Sequence, residues 1–343
     1  MEKGIGFIRE KHIGRVVLTR PEALNALTLS MIKALYKQLL AWKKDSSILA
    51  IIIEAAAGRA FCAGGDVRWL YEMGKKEDPE QLDFFWHEYR LNALIGSFPK
   101  PYISLMNGFT MGGGVGIGLH GSHPIATERF ILAMPETAIG LFPDVGASYL
   151  LSRLPNGLGM YFALTGRRMQ PADALSLGLI KYVIPEGSLE DVLKNIIELE
   201  PTEVFSQELD HCFNMVKLAA GSLSVMSQAQ LDSIERCFTQ DSVEAIVAKL
   251  KEDSHPWSTE TYTLMQQLSP LSLKVTFRQM QQASQLSLKE CLAMDEILVK
   301  HFMQGSDFYE GVRALIIDKD KMPKWHPATL AEVTDALVKG YFL

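Results

Sequence analysis

Two glycine-rich segments, Phe61-Cys-Ala-Gly-Gly-Asp66 and Met111-Gly-Gly-Gly-Val-Gly-Ile-Gly118, carry most of the information about the fold of this sequence. Each follows a short apolar run typical of a buried strand, residues 49–54 before the first and Tyr102–Met106 before the second. Tight packing or turns would explain either segment taken alone. Glycine also lets backbone N–H groups turn toward a ligand, and two N–H groups converging from separate strand ends can hold a developing oxyanion.

Strand and helix patterns alternate over the first 190 residues, which predicts an α/β fold. Residues 14–19 are typical of a strand, and Leu29–Lys44 has helical periodicity after Thr28, a good N-cap residue. After about residue 200 the strand patterns fade and polar-rich helical patterns follow, at residues 269–284, 287–304 and 306–317. We therefore predict an α/β core over residues 1–200 and a mainly helical region over residues 201–343.

The composition is that of a soluble globular protein, with 343 residues, 48% hydrophobic residues and a net charge of -6. An acidic balance argues against nucleic-acid binding, and no apolar run approaches the roughly 20 residues that a membrane span needs. The four cysteines show no metal-ligand spacing, and the N-terminus has no signal pattern. We expect a cytoplasmic protein, or a mitochondrial matrix protein if a transit peptide has been removed.

A pair of acids lies in the segment Met134-Pro-Glu-Thr-Ala-Ile-Gly-Leu-Phe-Pro-Asp144, which its prolines and glycine break into a loop. Their apolar neighbours suggest burial, and burial raises the pKa of a carboxyl group. Paired acids in a partly dry pocket suit acid–base or nucleophilic chemistry. The alternative is structural: Glu136 begins a helical turn, and Asp144 caps a helix starting at Val145.

Two further acids have structural explanations, and one glycine motif resembles a cofactor site. Asp66 is well placed to cap a helix, and Glu88 is typical of an exposed or paired charge on a helix. Residues 116–121 match a dinucleotide fingerprint, with Glu136 twenty residues after its first glycine. Those glycines lie inside a predicted helix instead of in the first turn after a strand, which argues against a nicotinamide cofactor site.

Four motifs occur in an order that resembles the crotonase superfamily over roughly residues 5–190. They are Arg20-Pro-Glu-Ala-Leu-Asn-Ala26, Ala60-Phe-Cys-Ala-Gly-Gly-Asp66, Asn107-Gly-Phe-Thr-Met-Gly-Gly-Gly-Val115 and Pro135-Glu-Thr-Ala-Ile-Gly-Leu141. The resemblance implies a spiral of repeated ββα units with an α-helical C-terminal region. It also implies an acyl-CoA substrate whose thioester carbonyl is held by two backbone N–H groups. By motif these belong to Gly65 and Gly113, and Ala63, Gly64 and Asp66 line the adenine end of CoA.

The acids distinguish the reactions of that superfamily. In the enoyl-CoA hydratases a catalytic glutamate stands at the place of Gly116, and dienoyl-CoA isomerases carry an aspartate there. The string from Met134 to Gly146 is instead similar to the 3-hydroxyisobutyryl-CoA hydrolases. So are Glu88-Tyr-Arg-Leu-Asn92 and the C-terminal Asp307-Phe-Tyr-Glu-Gly-Val-Arg-Ala-Leu315.

This resemblance implies hydrolysis of a short 3-hydroxyacyl-CoA, 3-hydroxyisobutyryl-CoA to 3-hydroxyisobutyrate and CoA, as in valine breakdown. Glu136 would be the nucleophile or the base that activates water, and Asp144 would orient substrate or water or protonate the leaving thiolate. The implied substrate contacts are Glu88, Gly113, Glu136 and Asp144, with no metal and no cofactor beyond the CoA of the substrate. The alternatives are a hydratase or isomerase of the same fold and a non-catalytic acyl-CoA- or RNA-binding relative.

Crotonase relatives often form trimers or pairs of trimers, so the resemblance also raises the expectation of a homo-oligomer. The long C-terminal region could instead cover the surface that such an assembly uses.

Overall fold

A computed structural model describes residues 3–56, 58–219 and 226–343 of the chain. Spatial contacts divide the chain into two compact units. Unit 1 comprises Met1–Gly65, Arg90–Leu132 and Met169–Val225, and unit 2 comprises Asp66–Tyr89, Ala133–Arg168 and Met226–Leu343.

The described residues form short strands and many helices. The strands are β1 (Ile5–Glu10), β2 (Ile13–Leu18), β3 (Ala50–Ala55), β4 (Ala60–Cys62), β5 (Tyr102–Met106), β6 (Phe109–Met111), β7 (His123–Thr127), β8 (Ile131–Ala133) and β9 (Tyr182–Ile184). The α-helices are α1 (Leu29–Lys44), α2 (Val67–Lys75), α3 (Glu80–Gly96), α4 (Gly113–Gly118), α5 (Ala147–Leu151), α6 (Leu158–Thr165), α7 (Pro171–Ser176), α8 (Leu189–Glu198), α9 (Phe205–Asn214), α10 (Gln228–Phe238), α11 (Val243–Glu252), α12 (Pro256–Met265), α13 (Pro270–Ala283), α14 (Leu288–Gln304), α15 (Asp307–Val312) and α16 (Asp335–Gly340). Short 3₁₀ turns lie at Pro21–Ala23, Glu136–Ile139, Glu186–Ser188 and Leu330–Glu332, and a π-helical turn at Arg313–Ile317.

Unit 1 is built on a six-stranded sheet with the order β1-β2-β3-β5-β7-β9. The first pair is antiparallel, and the pairs from β2 to β9 are parallel. Buried parallel strands require apolar residues on both faces, which explains the run Ile51, Ile52 and Ile53 in β3. α8 and α9 contribute Val192, Ile196 and other apolar side chains to the core on one face of this sheet.

A second, three-stranded sheet has the order β4-β6-β8, and its strands β4 and β6 lie in unit 1. β4 pairs with β6 in parallel, so the two glycine-rich segments, which follow β4 and β6, start from neighbouring strands. The carboxyl ends of parallel strands meet at one edge of a sheet, and ligands commonly bind there. The pairing therefore sets the two segments side by side.

Unit 2 is largely helical. α13 and α14 begin as sequence rules predict: Ser269 caps α13 ahead of Pro270, and Ser287 forms a capping box with Glu290. α13 buries most of its length, from Pro270 to Ala283. A helix that is buried on nearly every side packs at the centre of its unit instead of on its surface.

These elements confirm the predicted α/β class and the helical character of the described residues beyond 200. α1 with its Thr28 cap matches its prediction, and so do α13 and α14 to within a residue at each end. The domain boundary predicted at residue 200 stays a prediction, because each compact unit combines three separate segments of the chain. Among the helices of the described ranges, none has both the length and the apolar character needed to cross a membrane.

Candidate active site

The first glycine loop of unit 1 is held by the Arg20–Ala26 motif. The Asn25 side chain accepts a hydrogen bond from the Arg20 N–H and donates one to the Ala60 carbonyl, both at 2.9 Å. The Leu24 carbonyl accepts a hydrogen bond from the Ala63 N–H at 3.0 Å, so the Arg20–Ala26 motif is hydrogen-bonded to the chain just after β4. Both Leu24 and Asn25 have positive φ angles, 51° and 55°, which asparagine tolerates better than most residues.

The second glycine loop lies directly against the first. A Cβ added to Gly64 would lie 3.7 Å from the Gly113 nitrogen, and one added to Gly114 would lie 2.1 Å from the Cys62 carbonyl oxygen. Gly112 has φ 47° and ψ −123°, a backbone conformation that is essentially restricted to glycine. The glycines therefore allow two backbone segments to meet at a distance that any side chain would prevent.

Where the two loops meet, two backbone donors have no hydrogen-bond partner among the residues that the structure describes. Within the described ranges, the Gly65 and Gly113 N–H groups donate no hydrogen bond to another residue. Neighbouring loop groups are satisfied, since the Leu27 N–H donates to the Gly64 carbonyl at 2.8 Å. Unpaired backbone N–H groups are uncommon in folded proteins, and a pair of them is what binding of a developing oxyanion requires.

Unit 2 holds the acids. Glu136 begins the 3₁₀ turn Glu136–Ile139, and its carbonyl accepts from the Leu141 N–H at 2.9 Å. The turn closes at Gly140, where φ is 69° and an added Cβ would lie 2.2 Å from the Asp307 carbonyl oxygen. An added Cβ on Gly311 would lie 2.4 Å from the Ile139 carbonyl carbon. The C-terminal motif that starts at Asp307 thus packs on the Glu136 turn without any intervening side chain.

Asp144 lies in the next loop, which is fixed from several sides. Its carboxylate accepts a hydrogen bond from the Tyr89 hydroxyl at 2.8 Å. Asp295, on α14, accepts from the Gly146 N–H at 2.8 Å and from Gln279 at 2.9 Å, while Gln279 also donates to the Pro143 carbonyl at 3.0 Å.

Val145, between these contacts, has a φ of 52°. This conformation is strained for a β-branched residue, and such strain persists only where the surroundings enforce it.

Three carboxyl groups of this unit are buried and act on one another. Glu88, Glu136 and Asp144 are 2%, 6% and 5% exposed. Burial raises the pKa of Glu88 well above its usual value, and the charges of Asp144 and Glu136 raise it further. Burial and the Asp144 charge likewise raise the pKa of Glu136 well above its usual value.

The pKa of Asp144 is raised as well. Burial raises its pKa to about 6, and the hydrogen bonds from Tyr89 and from a backbone N–H limit that rise. Burial and mutual repulsion therefore disfavour ionisation of all three carboxyl groups at once.

Two carboxyl oxygens in the cluster lack any partner among the described residues, Oε1 of Glu88 and Oε2 of Glu136. An unmade hydrogen bond on a buried polar atom costs about 1–3 kcal/mol. Buried, unpartnered and mutually repelling acids are uncommon outside sites that bind or transform a ligand.

The structural alternatives for these residues have mixed outcomes. Asp66 does cap α2, accepting from the Trp69 N–H at 3.3 Å, and Glu136 does begin a helical turn. An exposed or paired Glu88 is wrong, because the side chain is buried and one oxygen has no partner. The prediction that Asp144 caps a helix is also wrong. The next helix begins at Ala147, and the Asp144 carboxylate accepts its hydrogen bond from the Tyr89 hydroxyl.

Sequence reasoning missed Tyr89, Gln279 and Asp295, which hold Asp144 and its loop. A signal existed for Asp295: it shares a helix face with Leu292 and Val299, all buried, and an acid among apolar residues at helical spacing needs a partner. Ala63, Gly64, Gly65 and Gly113 come together in unit 1, and Glu88, Glu136 and Asp144 in unit 2. The catalytic and CoA-binding roles assigned to these residues and to Asp66 stay predictions.

The sequence model of the enoyl-CoA hydratase/isomerase family matches residues 13–342. The chain belongs to this family. It is 44% identical over 331 residues to the 3-hydroxyisobutyryl-CoA hydrolase, mitochondrial, of Danio rerio, which covers 96% of this chain and 86% of the relative. It is 41% identical over 331 residues to the Homo sapiens protein of the same name, with the same coverage.

Solved structures in the comparison carry other names. A carnitinyl-CoA dehydratase from Mycobacterium thermoresistibile superposes with a TM-score of 0.91 at 36% identity, covering 100% of this chain and 97% of that one. An enoyl-CoA hydratase from Rhodobacter sphaeroides 2.4.1 gives a TM-score of 0.89 at 34% identity, covering 99% and 97%. These matches confirm the fold expected from the motifs.

Proposed function

We propose that this chain hydrolyses a short 3-hydroxyacyl-CoA thioester, 3-hydroxyisobutyryl-CoA, to 3-hydroxyisobutyrate and free CoA. The observation that carries the proposal is the buried cluster of Glu88, Glu136 and Asp144, two of which have an oxygen without a partner. Supporting it, relatives at 41–44% identity over 96% of the chain are named for this hydrolysis.

The N–H groups of Gly65 and Gly113 are assigned to the thioester oxygen. As the carbonyl carbon is attacked, its oxygen becomes negative, and two fixed donors stabilise that charge without reorganisation. Removing one such donor typically costs on the order of 10²–10³ in rate. The adenine end of CoA is assigned to the backbone of Ala63 and Gly64 and to Asp66.

Glu136 is assigned to the attack, by one of two routes. As a nucleophile, its carboxylate bonds to the thioester carbon, the C–S bond breaks, and water then cleaves the resulting anhydride. As a base, it takes a proton from water, and the hydroxide formed attacks the same carbon and expels the thiolate. The products are the same by both routes. Intact-protein mass measurement after rapid quenching separates the routes, since only the first adds the acyl mass to the enzyme.

Either route needs Glu136 ionised, although burial and the Asp144 charge raise its pKa and so favour retention of its proton. The mechanism therefore includes transfer of this proton to Asp144 on substrate binding. Asp144 then delivers it to the departing thiolate, so that free CoA leaves as the thiol. Glu88, whose pKa is raised by burial and by the charges of Asp144 and Glu136, is assigned to the hydroxyacyl end of the substrate.

The test is a panel of acyl-CoA esters scored for free thiol. We expect the highest kcat/KM with 3-hydroxyisobutyryl-CoA and a measurable rate with 3-hydroxypropionyl-CoA, because one missing methyl group is worth only about 1–3 kcal/mol. Absence of thiol release from every ester would overturn the proposal.

A second candidate function is hydration of an enoyl-CoA, which the names of the two superposing structures favour. Against it, an added Cβ on Gly116 would lie 2.5 Å from Asn92, so a glutamate cannot enter this place without displacing a buried side chain. Incubation with crotonyl-CoA decides: hydration without thiol release would establish the second candidate.

For the location and the assembly we propose the mitochondrial matrix and a homo-oligomer. The first rests on the word mitochondrial in the names of the relatives. Cell fractionation tests the first, with recovery in the cytosol alone as the contrary result. Light scattering tests the second, with the mass of a single chain as the contrary result.

A further inference from the structure

Asn92 of unit 1 is buried, yet its side-chain amide makes no hydrogen bond. It has 0% exposure, and neither Nδ2 nor Oδ1 has a partner among the described residues. Asn25 in the same unit is equally buried, but both of its amide atoms are bonded, to Arg20 and Ala60. A buried donor and a buried acceptor without hydrogen bonds both destabilise the folded protein. Asn92 therefore does not stabilise the fold through its amide and is a good candidate for contact with a ligand.

The position of Asn92 identifies the part of the ligand that it contacts. A Cβ added to Gly116 would lie 2.5 Å from Nδ2, 2.9 Å from Cγ and 3.0 Å from Oδ1, so the amide lies flat against this glycine. Gly113, the assigned oxyanion donor, precedes Gly116 by three residues on α4, on the same helix face and about 4.5 Å away along the axis. The amide is therefore within one helical turn of the assigned place of the thioester oxygen.

Chemistry narrows the ligand group further. An amide with a free donor and a free acceptor is complemented by a group that both accepts and donates, which means a hydroxyl or a water. The proposed substrate carries one such group close to its thioester, the hydroxyl on the third carbon of the acyl chain.

We infer that Asn92 hydrogen-bonds the 3-hydroxyl group of the acyl substrate and gives this enzyme its preference for hydroxylated thioesters. The inference rests on the function proposed above and deepens it. It adds a neutral, specificity-determining residue to the assignments made above, and it explains why a glycine stands at position 116.

The experiment is Asn92→Leu, which keeps the shape of the side chain and removes both hydrogen-bonding atoms. kcat/KM for CoA release is measured with 3-hydroxyisobutyryl-CoA and with isobutyryl-CoA, which lacks the hydroxyl. We expect the preference for the hydroxylated ester to fall by roughly 10- to 100-fold, the factor that an unmade buried hydrogen bond represents. The value for isobutyryl-CoA should not fall. Equal losses with both esters, or an unchanged preference, would overturn the inference.

Asn25→Leu is the matched control for folding. It breaks two hydrogen bonds and should lower the melting temperature, whereas Asn92→Leu breaks none and should leave it unchanged or raise it. A large fall in melting temperature for Asn92→Leu would overturn the inference by showing a structural role.

Binding separates failure of this inference from failure of the proposed function. Thioether analogues of the two esters, which cannot be hydrolysed, give the hydroxyl preference as a ratio of Kd values. A wild type that releases no CoA, but binds the hydroxylated analogue more tightly in an Asn92-dependent way, would reject hydrolysis and keep Asn92 as the hydroxyl partner. Equal affinity of the wild type for the two analogues would reject the role of Asn92.

Discussion

The hydrogen bond from Tyr89 to Asp144 lowers the pKa of that carboxyl group, and Tyr89→Phe removes the bond while keeping the ring. The bond is 2.8 Å long and both groups are buried. It stabilises the carboxylate form of Asp144, whose pKa burial has raised to about 6. Without the hydroxyl, nothing in its place favours the charged form, so the pKa of Asp144 must rise further.

The size of the effect follows from the strength of the bond. A hydrogen bond to a charged group contributes about 1.5–3 kcal/mol, and 1.36 kcal/mol corresponds to one pKa unit. Tyr89→Phe should therefore move the pKa of Asp144 from about 6 to about 7–8. The direction is the same whether Asp144 acts as a carboxylate or as an acid, because either limb of the pH profile follows its pKa.

The assay is kcat/KM for CoA release measured from about pH 5 to pH 9, where free-enzyme pKa values appear as limbs of the profile. Tyr309→Phe is the control: its hydroxyl donates to the Met303 carbonyl at 2.8 Å and contacts the Gln81 amide, and it bonds to no carboxylate in the described part of the chain. It should leave the profile in place. A limb that stays fixed or moves to lower pH in Tyr89→Phe would refute the assignment of that limb to Asp144.

Three further predictions concern stability and the loops. Gly114→Ala places a Cβ 2.1 Å from the Cys62 oxygen, so it should cost about 1–3 kcal/mol in urea unfolding and most of the CoA release, whereas Gly187→Ala, with nothing in the described chain within 4 Å, should be neutral. Gly140→Ala combines a φ of 69° with a Cβ 2.2 Å from a backbone oxygen and should also lower both the melting temperature and kcat; wild-type values would contradict the packing. Asp144→Asn should match the wild type in stability below pH 4. Above pH 6 Asp144→Asn should be more stable than the wild type by about 3 kcal/mol. The raised pKa of Asp144 stabilises the folded wild type at low pH, and this contribution is lost as pH rises to about 6. A difference in stability that stays constant with pH would refute the prediction.

Local requirements made much of the fold and part of the site predictable. The glycine segments predict a close approach of two backbone segments. Gly112 has a conformation that needs glycine, and at Gly114 there is no space for a side chain. The apolar neighbours of Glu136 and Asp144 in the sequence predict that both acids are buried. The structure shows both carboxyl groups buried, with raised pKa values.

What could not be predicted depends on contacts between distant parts of the chain. Tyr89 and Asp144 are 55 residues apart, and Asp295 lies 149 residues from the Gly146 amide that it accepts from. Glu88 is typical of a surface helix charge, and only tertiary packing decides that its face of α3 is buried. Asn92 gave no signal either, because a missing partner is visible only in three dimensions.

The most direct measurement of the central claim is CoA release from 3-hydroxyisobutyryl-CoA by Glu136→Gln beside the wild type, with Glu80→Gln, an exposed acid of α3, as the matched control. A glutamine keeps the size of Glu136 but can neither attack the thioester nor accept a proton from water. We predict a fall in kcat of at least about 10²–10⁴-fold for Glu136→Gln and none for Glu80→Gln. Wild-type turnover by a folded Glu136→Gln would contradict the account.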